Sequence, residues 1–113
     1  MPISYKILGQ ALPTATANVE LYKVPAGAQT VVSTINVCNQ SAGISTFRIF
    51  LRAANVAQTG SQFIAYNAAI GSGDAVVLSM GMTLGNTGAT GDTVYVWANT
   101  SSVSFNLFGS EIT

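Results

Sequence analysis

Residues 30–53, TVVSTINVCNQSAGISTFRIFLRA, contain two runs of β-branched, aliphatic and aromatic side chains, separated by a polar break at residues 39–43. In the second run, apolar side chains alternate with Arg48, Phe50 and Arg52. Alternation with a period of two is typical of a strand with one buried face. The Gly-containing break predicts a loop of several residues. We therefore interpret the stretch as a β-hairpin at the centre of an all-β domain.

Short alternating segments recur on both sides of this stretch, and loops rich in Gly, Pro, Ser, Thr and Asn separate them. We predict further strands near residues 3–9, 18–24, 63–66, 74–80, 93–98 and 103–109, with loops that include residues 67–73 and 81–91. No segment shows a sustained helical period. Regularly spaced short strands indicate a sandwich or a barrel, and about eight antiparallel strands favour a jelly-roll-like β-sandwich.

The composition indicates that neighbouring molecules cover part of the surface. Hydrophobic residues make up 49% of the 113-residue chain, and charged residues make up 7% with a net charge of zero. An average soluble domain has about 25% charged residues and is seldom neutral. The length fits one domain spanning residues 1–113, with residues 1–17 as a candidate extended N-terminal arm.

The residue types needed for most catalytic and metal sites are missing. The chain has no histidine and one cysteine, Cys38, which we interpret as a small buried or interfacial hydrophobe. Asp74 and Asp92 follow glycine-containing loops; they could share a calcium ion, but we favour carboxylates that accept hydrogen bonds from backbone amides. We expect no enzymatic activity, no metal and no cofactor.

Nucleic acid and membrane are also poor candidates for partners. Four cationic side chains balanced by four anionic ones do not form the basic stripe that phosphate binding needs. The apolar runs are far shorter than the roughly 20 residues of a spanning helix, and the N-terminus has no signal-peptide core. We expect synthesis in a cytoplasm, which suits a lone cysteine.

Five side chains are candidates for an interface. Arg48, Phe50 and Arg52 share one face of a predicted strand, and an aromatic ring flanked by guanidinium groups is common in protein interfaces. Alternatively, the arginine stems cover Phe50 and pair with a carboxylate such as Glu20. Tyr95 and Trp97 either fill a second buried face or are covered by a partner molecule; we favour the partner.

The chain resembles small virion structural proteins of tailed bacteriophages, including those that infect cyanobacteria. The resemblance covers nearly the whole sequence. Its most specific elements are the LYxVPAG turn at residues 21–27, VVSTxxVCN at 31–39, FRI at 47–49 and FGSEI at 108–112. These are packing and turn motifs, so they indicate a family and supply no functional residues.

The resemblance implies a structural role without enzymatic activity. The role we favour is a capsid decoration, or cement, protein that stabilises the head shell by bridging capsid subunits. It implies the major capsid protein or other virion proteins as partners, a homo-oligomer with a trimer favoured, and a place on the capsid surface. Two alternatives stay open: a tail, baseplate or fibre-associated module, and a carbohydrate- or receptor-binding β-sandwich that uses Trp97, Tyr95 or Tyr66 for stacking.

Overall fold

The computed structural model describes residues 3–54, 56–86 and 91–113, which form eight β-strands and one short 3-10 turn. The strands are β1 (Ile3–Ala11), β2 (Val19–Lys23), β3 (Gln29–Asn39), β4 (Ser45–Arg52), β5 (Phe63–Ile70), β6 (Ala75–Gly85), β7 (Thr93–Ala98) and β8 (Val103–Ile112). The turn is Gly60–Gln62. In the described part of the chain, no helix has the length and apolar character needed to cross a membrane.

The strands form two four-stranded antiparallel sheets. Sheet A has the order β1-β8-β3-β6 and sheet B has the order β2-β7-β4-β5. Every connection between consecutive strands passes from one sheet to the other, except the one from β4 to β5. This wrapped arrangement of eight strands is a jelly roll, and it confirms the predicted all-β sandwich.

The predicted central hairpin is wrong. Strand β3 lies between β8 and β6 in sheet A, whereas β4 lies between β7 and β5 in sheet B, so the two strands face each other across the core. The polar break between them is a corner that connects the sheets. Alternation shows which face of a strand is buried, but it does not show whether the next strand pairs beside it or packs opposite it.

The buried side chain of Asn39 stabilises this corner. Its side-chain nitrogen donates hydrogen bonds to the carbonyl oxygens of Gly43 (2.9 Å), Ile70 (2.9 Å) and Gly71 (3.2 Å), and its oxygen accepts from the backbone N–H and the hydroxyl of Ser41. Asn39 therefore satisfies buried backbone groups from two separate loops, which a buried chain reversal requires.

The core lies between the two sheets and is built from the inward positions of seven strands, β2 to β8. Phe105 of β8 meets Phe47 of β4 edge to face, with ring centroids 6.0 Å apart. The fully buried side chains around this pair include Val32, Ile35, Val37, Ile49, Val94, Val96 and Leu107. Each such side chain contributes roughly 1.5–3 kcal/mol when it leaves water, so this layer accounts for the pairing of the sheets.

Two segments predicted as loops belong to strands. Residues 67–70 continue β5 up to Ile70, and residues 81–85 continue β6 up to Gly85, after which Asn86 and Gly91 form an isolated bridge. Residues 87–90 of the second predicted loop lie outside the described residues. The weak strand propensity of the asparagine, alanines and glycines in these segments is overridden here by pairing with neighbouring strands.

Candidate interaction site

The five candidate interface residues lie together on the outer face of sheet B. In the register of β4 and β7, Arg48 is opposite Trp97 and Phe50 is opposite Tyr95, while Arg52 lies at the end of the same row. Strand β5 adds two more rings to this surface. We call it the aromatic–arginine face; it consists of Arg48, Phe50, Arg52, Phe63, Tyr66, Tyr95 and Trp97.

Arg48 is held between two aromatic rings. Its guanidinium carbon lies 4.0 Å from the ring centroid of Trp97 and 4.4 Å from that of Tyr66. Its Nε donates a hydrogen bond of 2.7 Å to the Oδ1 of Asn67. Contact with two rings and one amide fixes the plane of the guanidinium while leaving its terminal nitrogens as donors.

Arg52 is fixed at the other end of the row. Its Nε donates to the carbonyl oxygen of Val56 at 2.9 Å, and its guanidinium carbon lies 5.5 Å from the ring centroid of Tyr95. Within residues 3–54, 56–86 and 91–113, the ion pair joins Lys6 to Glu111 and includes neither arginine. The alternative in which an arginine pairs with Glu20 or another carboxylate is therefore wrong for the described residues.

Phe50 supports this surface from below. Its side chain is only 2% exposed, and its ring stacks on Tyr95 at 5.1 Å and tilts against Phe63 at 5.2 Å. Phe50 is thus covered by the rings of Tyr95 and Phe63, whereas the sequence alternative assigned that cover to the arginine stems. Tyr66, by contrast, is 59% exposed. Apart from Phe50, the members of the aromatic–arginine face are at least partly exposed, so a partner can reach them.

Sequence analysis missed Phe63 and the position of Tyr66 within this surface. The two rings are three residues apart, a spacing that places side chains on opposite faces of a regular strand. In β5 the register with β4 shifts between these residues, and Asn67 adopts a left-handed conformation with φ of 51°. The signal was available in Asn67, because asparagine tolerates this conformation better than most residues and often marks a bulge.

A second polar cluster lies between the sheets where β8 ends, and its Lys6 side chain is 49% exposed. Glu111 accepts a hydrogen bond from the Tyr22 hydroxyl at 2.5 Å and lies 2.6 Å from the Lys6 ammonium, and Tyr22 also contacts the hydroxyl of Thr30 at 2.7 Å. These residues belong to four strands of both sheets. The cluster is therefore a structural clasp between the sheets.

The environment of the clasp shifts two titrating groups. Hydrogen bonds from Lys6 and Tyr22 lower the pKa of the Glu111 carboxyl below its ordinary value of 4.5. Burial, followed by the hydrogen bond to Glu111, raises the pKa of the Tyr22 phenol well above 10.0. Both shifts favour the ionised carboxylate and the neutral phenol at neutral pH, which is the arrangement that the hydrogen bonds require.

The carboxylates of the described residues form no metal-binding cluster. Within the described residues, no three histidine, cysteine, aspartate or glutamate side chains are placed to hold a metal ion. The two oxygens of Asp92 accept the backbone N–H groups of Ala54 (3.0 Å) and Gly85 (2.9 Å). Asp92 is thus the backbone-binding carboxylate expected from the sequence, although it joins two distant segments and not neighbours in its own turn.

Comparisons with known proteins identify the fold. No family model matches the chain, and no curated protein sequence matches it either. A chain in the structure of infectious bursal disease virus, Gx strain, superposes with a TM-score of 0.53 over 97% of this chain, at 9% identity. A chain in the crystal structure of the T13 IBDV viral particle gives a TM-score of 0.52, again over 97% of this chain at 9% identity.

The likeness is one of fold and covers only part of those proteins. This chain spans 30% of the length of each of the two virus chains. At 9% identity, residues of the aromatic–arginine face cannot be matched one by one to theirs. The comparisons therefore establish that the eight-stranded sandwich is a fold also found in chains of an icosahedral virus particle.

Proposed function

We propose that this chain is a virion structural protein, and more specifically a capsid decoration protein that attaches to the outside of a phage head. Two independent considerations support the virion role. The fold is shared with chains of the infectious bursal disease virus particle, and the sequence resembles small structural proteins of tailed phages. A decoration protein must bind the shell and stay bound, and this chain presents a surface for such binding.

The observation that carries the proposal is the aromatic–arginine face. Arg48 and Arg52 are positioned by rings and amide groups, so little side-chain freedom remains to be lost on binding. No carboxylate of the described residues neutralises either guanidinium. Fixed arginines beside tyrosine and tryptophan make up the composition that dominates binding energy in protein interfaces. We assign this face to the contact with the shell.

Repetition explains how a small face gives firm attachment. Buried apolar surface contributes about 25 cal/mol per Å², so a single contact by one small sheet face is modest. On a shell, every copy meets an identical site, and a copy that contacts two capsid subunits gains a high effective concentration for its second contact. Bridging of this kind raises the resistance of the shell to rupture.

Thermal rupture of heads tests the proposal. Particles are produced from a genome that lacks the gene for this chain, and purified wild-type protein or variants are added back. We expect wild-type protein to raise the rupture temperature, the double variant Arg48→Ala/Trp97→Ala to fail, and Val77→Ala to behave as wild type, because Val77 is an exposed residue of β6 in the other sheet.

Two results would overturn the proposal. Equal rupture temperatures with and without the wild-type protein would remove the decoration role. Binding to isolated tails, or to a glycan array, without binding to heads would favour the tail module or the carbohydrate-binding alternative. The fold of the double variant is checked by its unfolding transition, so that a loss of binding is not confused with a loss of structure.

A further inference from the structure

Sheet B carries an excess of positive charge, although the chain as a whole is neutral. The charged residues of its strands are Arg48 and Arg52 on β4, and Glu20 and Lys23 on β2. The two charges of β2 cancel, and strand β7 separates Glu20 from β4. Neither arginine forms an ion pair with a carboxylate of the described residues. The excess positive charge therefore comes from the two arginines.

The other carboxylates of the chain are engaged or lie in other parts of the fold. Glu111 pairs with Lys6 in the clasp between the sheets. The two oxygens of Asp92 accept backbone N–H groups at 3.0 and 2.9 Å. Asp74 immediately precedes β6, which belongs to sheet A. An anion that neutralises the arginines on sheet B consequently has to come from another molecule.

The guanidinium of Arg48 is open to another molecule along one edge. Trp97 and Tyr66 belong to the strands on either side of β4, and their ring centroids lie 4.0 and 4.4 Å from the guanidinium carbon. The Nε is used by Asn67, whereas the two terminal nitrogens donate to no acceptor among the described residues. Two parallel N–H groups on one edge match the two oxygens of a carboxylate. Arg48 is therefore arranged to bind one carboxylate through both terminal nitrogens.

Arg52 supplies a second donor at a fixed distance. Its Nε donates to Val56, and one terminal nitrogen lies 3.4 Å from the Tyr95 hydroxyl, which leaves the other terminal nitrogen for a partner. Asp92 lines the same cleft as Arg52 but forms no ion pair with it. Four residues of extended strand separate the Cα atoms of Arg48 and Arg52 by about 13 Å. A partner that engages both arginines needs two anionic groups at about this spacing.

Carboxylates of a protein fit this arrangement better than the phosphates of a nucleic acid. Affinity for nucleic acid grows with the number of phosphates that are neutralised, and two guanidinium groups about 13 Å apart neutralise few. Aspartate and glutamate side chains are separate anions that a protein surface can present at such a spacing. The rings beside the arginines add apolar contact area, as protein interfaces do. An acidic protein surface is thus the partner that matches both the charge and the rings.

We propose that the aromatic–arginine face recognises an acidic protein surface, on which one aspartate or glutamate binds both terminal nitrogens of Arg48 and a second binds Arg52. The inference rests on the attachment to the shell proposed above and specifies the chemistry of the shell site. A guanidinium that leaves water without an anion is costly to bury, and a carboxylate on the partner offsets that cost. The rings hold Arg48 in place before binding, so little side-chain freedom is lost when the hydrogen bonds form.

Neutralising the carboxylates of the shell tests the chemistry of the partner. Heads that lack this chain are treated with a carbodiimide and glycinamide, which convert exposed carboxylates to neutral amides, and control heads receive glycinamide alone. We expect amidation to weaken the binding of wild-type protein at least about tenfold. Heads that are amidated while the protein is bound, and then stripped of it with high salt, should bind fresh protein normally. This protection separates loss of the site from general damage to the shell.

The variant Arg48→Lys tests the geometry of the contact. Lysine keeps the positive charge but lacks the planar pair of donors, so binding to untreated heads should fall at least about tenfold. Val77→Ala, in the other sheet, is the control and should bind as wild type. The unfolding transition of each variant shows that it is folded.

The outcomes distinguish this inference from the attachment on which it rests. Equal binding of wild-type protein to amidated and control heads would overturn carboxylate recognition while leaving attachment intact, as would a loss of binding that prior occupation of the heads does not prevent. Equal binding by wild type and Arg48→Lys would overturn the contact through both terminal nitrogens. Failure of wild-type protein to bind untreated heads would overturn the attachment itself.

Discussion

The guanidinium carbon of Arg48 lies 4.0 Å from the ring centroid of Trp97, and the two residues are direct cross-strand partners on β4 and β7. Sheet pairing, and not a flexible loop, therefore positions the cation over the ring. The backbone at this pair is held firmly because the next cross-strand pair, Ile49 and Val96, is fully buried in the core. The aromatic–arginine face therefore continues the packing of the core. Its contacts should contribute measurably to the free energy of unfolding.

A double-mutant cycle on Arg48 and Trp97 measures this coupling. We expect Arg48→Ala and Trp97→Ala each to destabilise the fold, and the double variant to lose less than the sum, with a coupling free energy of about 0.5–2 kcal/mol. Urea unfolding of the four proteins gives the values. Additive effects would mean that the arginine and the ring do not stabilise each other, and that the face is not preorganised.

The clasp formed by Glu111 predicts a dependence of stability on pH. Because Lys6 and Tyr22 lower the pKa of Glu111, the free energy contributed by the ionised carboxylate is present above the ordinary value of 4.5 and is lost as pH falls through the folded-state pKa. The difference in unfolding free energy between wild type and Glu111→Gln should be constant near neutral pH and should narrow below about 4.5.

Unfolding by urea at a series of pH values provides the measurement. Glu20→Gln is the matched control, because Glu20 is an exposed carboxylate on β2 and its replacement should change stability at neutral pH by less than about 0.5 kcal/mol. A wild-type to Glu111→Gln difference that stays the same from neutral pH down to pH 3 would contradict the clasp.

The corner at Asn39 should be among the most sensitive polar positions. Asn39→Ala removes the hydrogen bonds to the carbonyl groups of Gly43, Ile70 and Gly71 and the acceptor of the Ser41 N–H, and each lost hydrogen bond costs about 0.5–1.5 kcal/mol. We expect a loss of at least about 2 kcal/mol in urea unfolding. The neighbouring Gln40→Ala should stay within about 0.5 kcal/mol, because Gln40 is exposed; similar losses for both would refute the role of Asn39.

Gly9 should be intolerant of a side chain. A methyl group there would overlap the Leu21 carbonyl oxygen, so Gly9→Ala must displace β1 or β2 and should lower the unfolding temperature. Gly43→Ala is the control, because nothing lies within 4 Å of the position its methyl would occupy. Thermal unfolding distinguishes the two, and an unchanged transition for Gly9→Ala would show that β1 is not held against β2.

Much of the fold was predictable because alternation reports burial directly. A period of two predicts the strands at residues 93–98 and 103–109. It also predicts that their apolar positions face one core. The connection from β3 to β4 was not predictable, because the information lies in distant residues: Asn39 turns the corner by bonding Ile70 and Gly71. A local window contains none of these partners.

The candidate site, like the fold, was only partly predictable from the sequence. The shared face of Arg48, Phe50 and Arg52 follows from spacing within one strand, and the alternation of Tyr95 and Trp97 with two valines places them outside the core. That these two rows are neighbours depends on sheet order, which no local pattern encodes. The contribution of Phe63 and Tyr66 depends on a bulge in β5, where a register shift brings both rings to one side. Interface function itself stays a prediction.

A density map of the intact particle tests the central claim most directly. We predict copies of this eight-stranded sandwich on the outer surface of the head, with Arg48 and Trp97 against capsid subunits. Density for the chain on the tail or baseplate, or a head without it, would contradict the account.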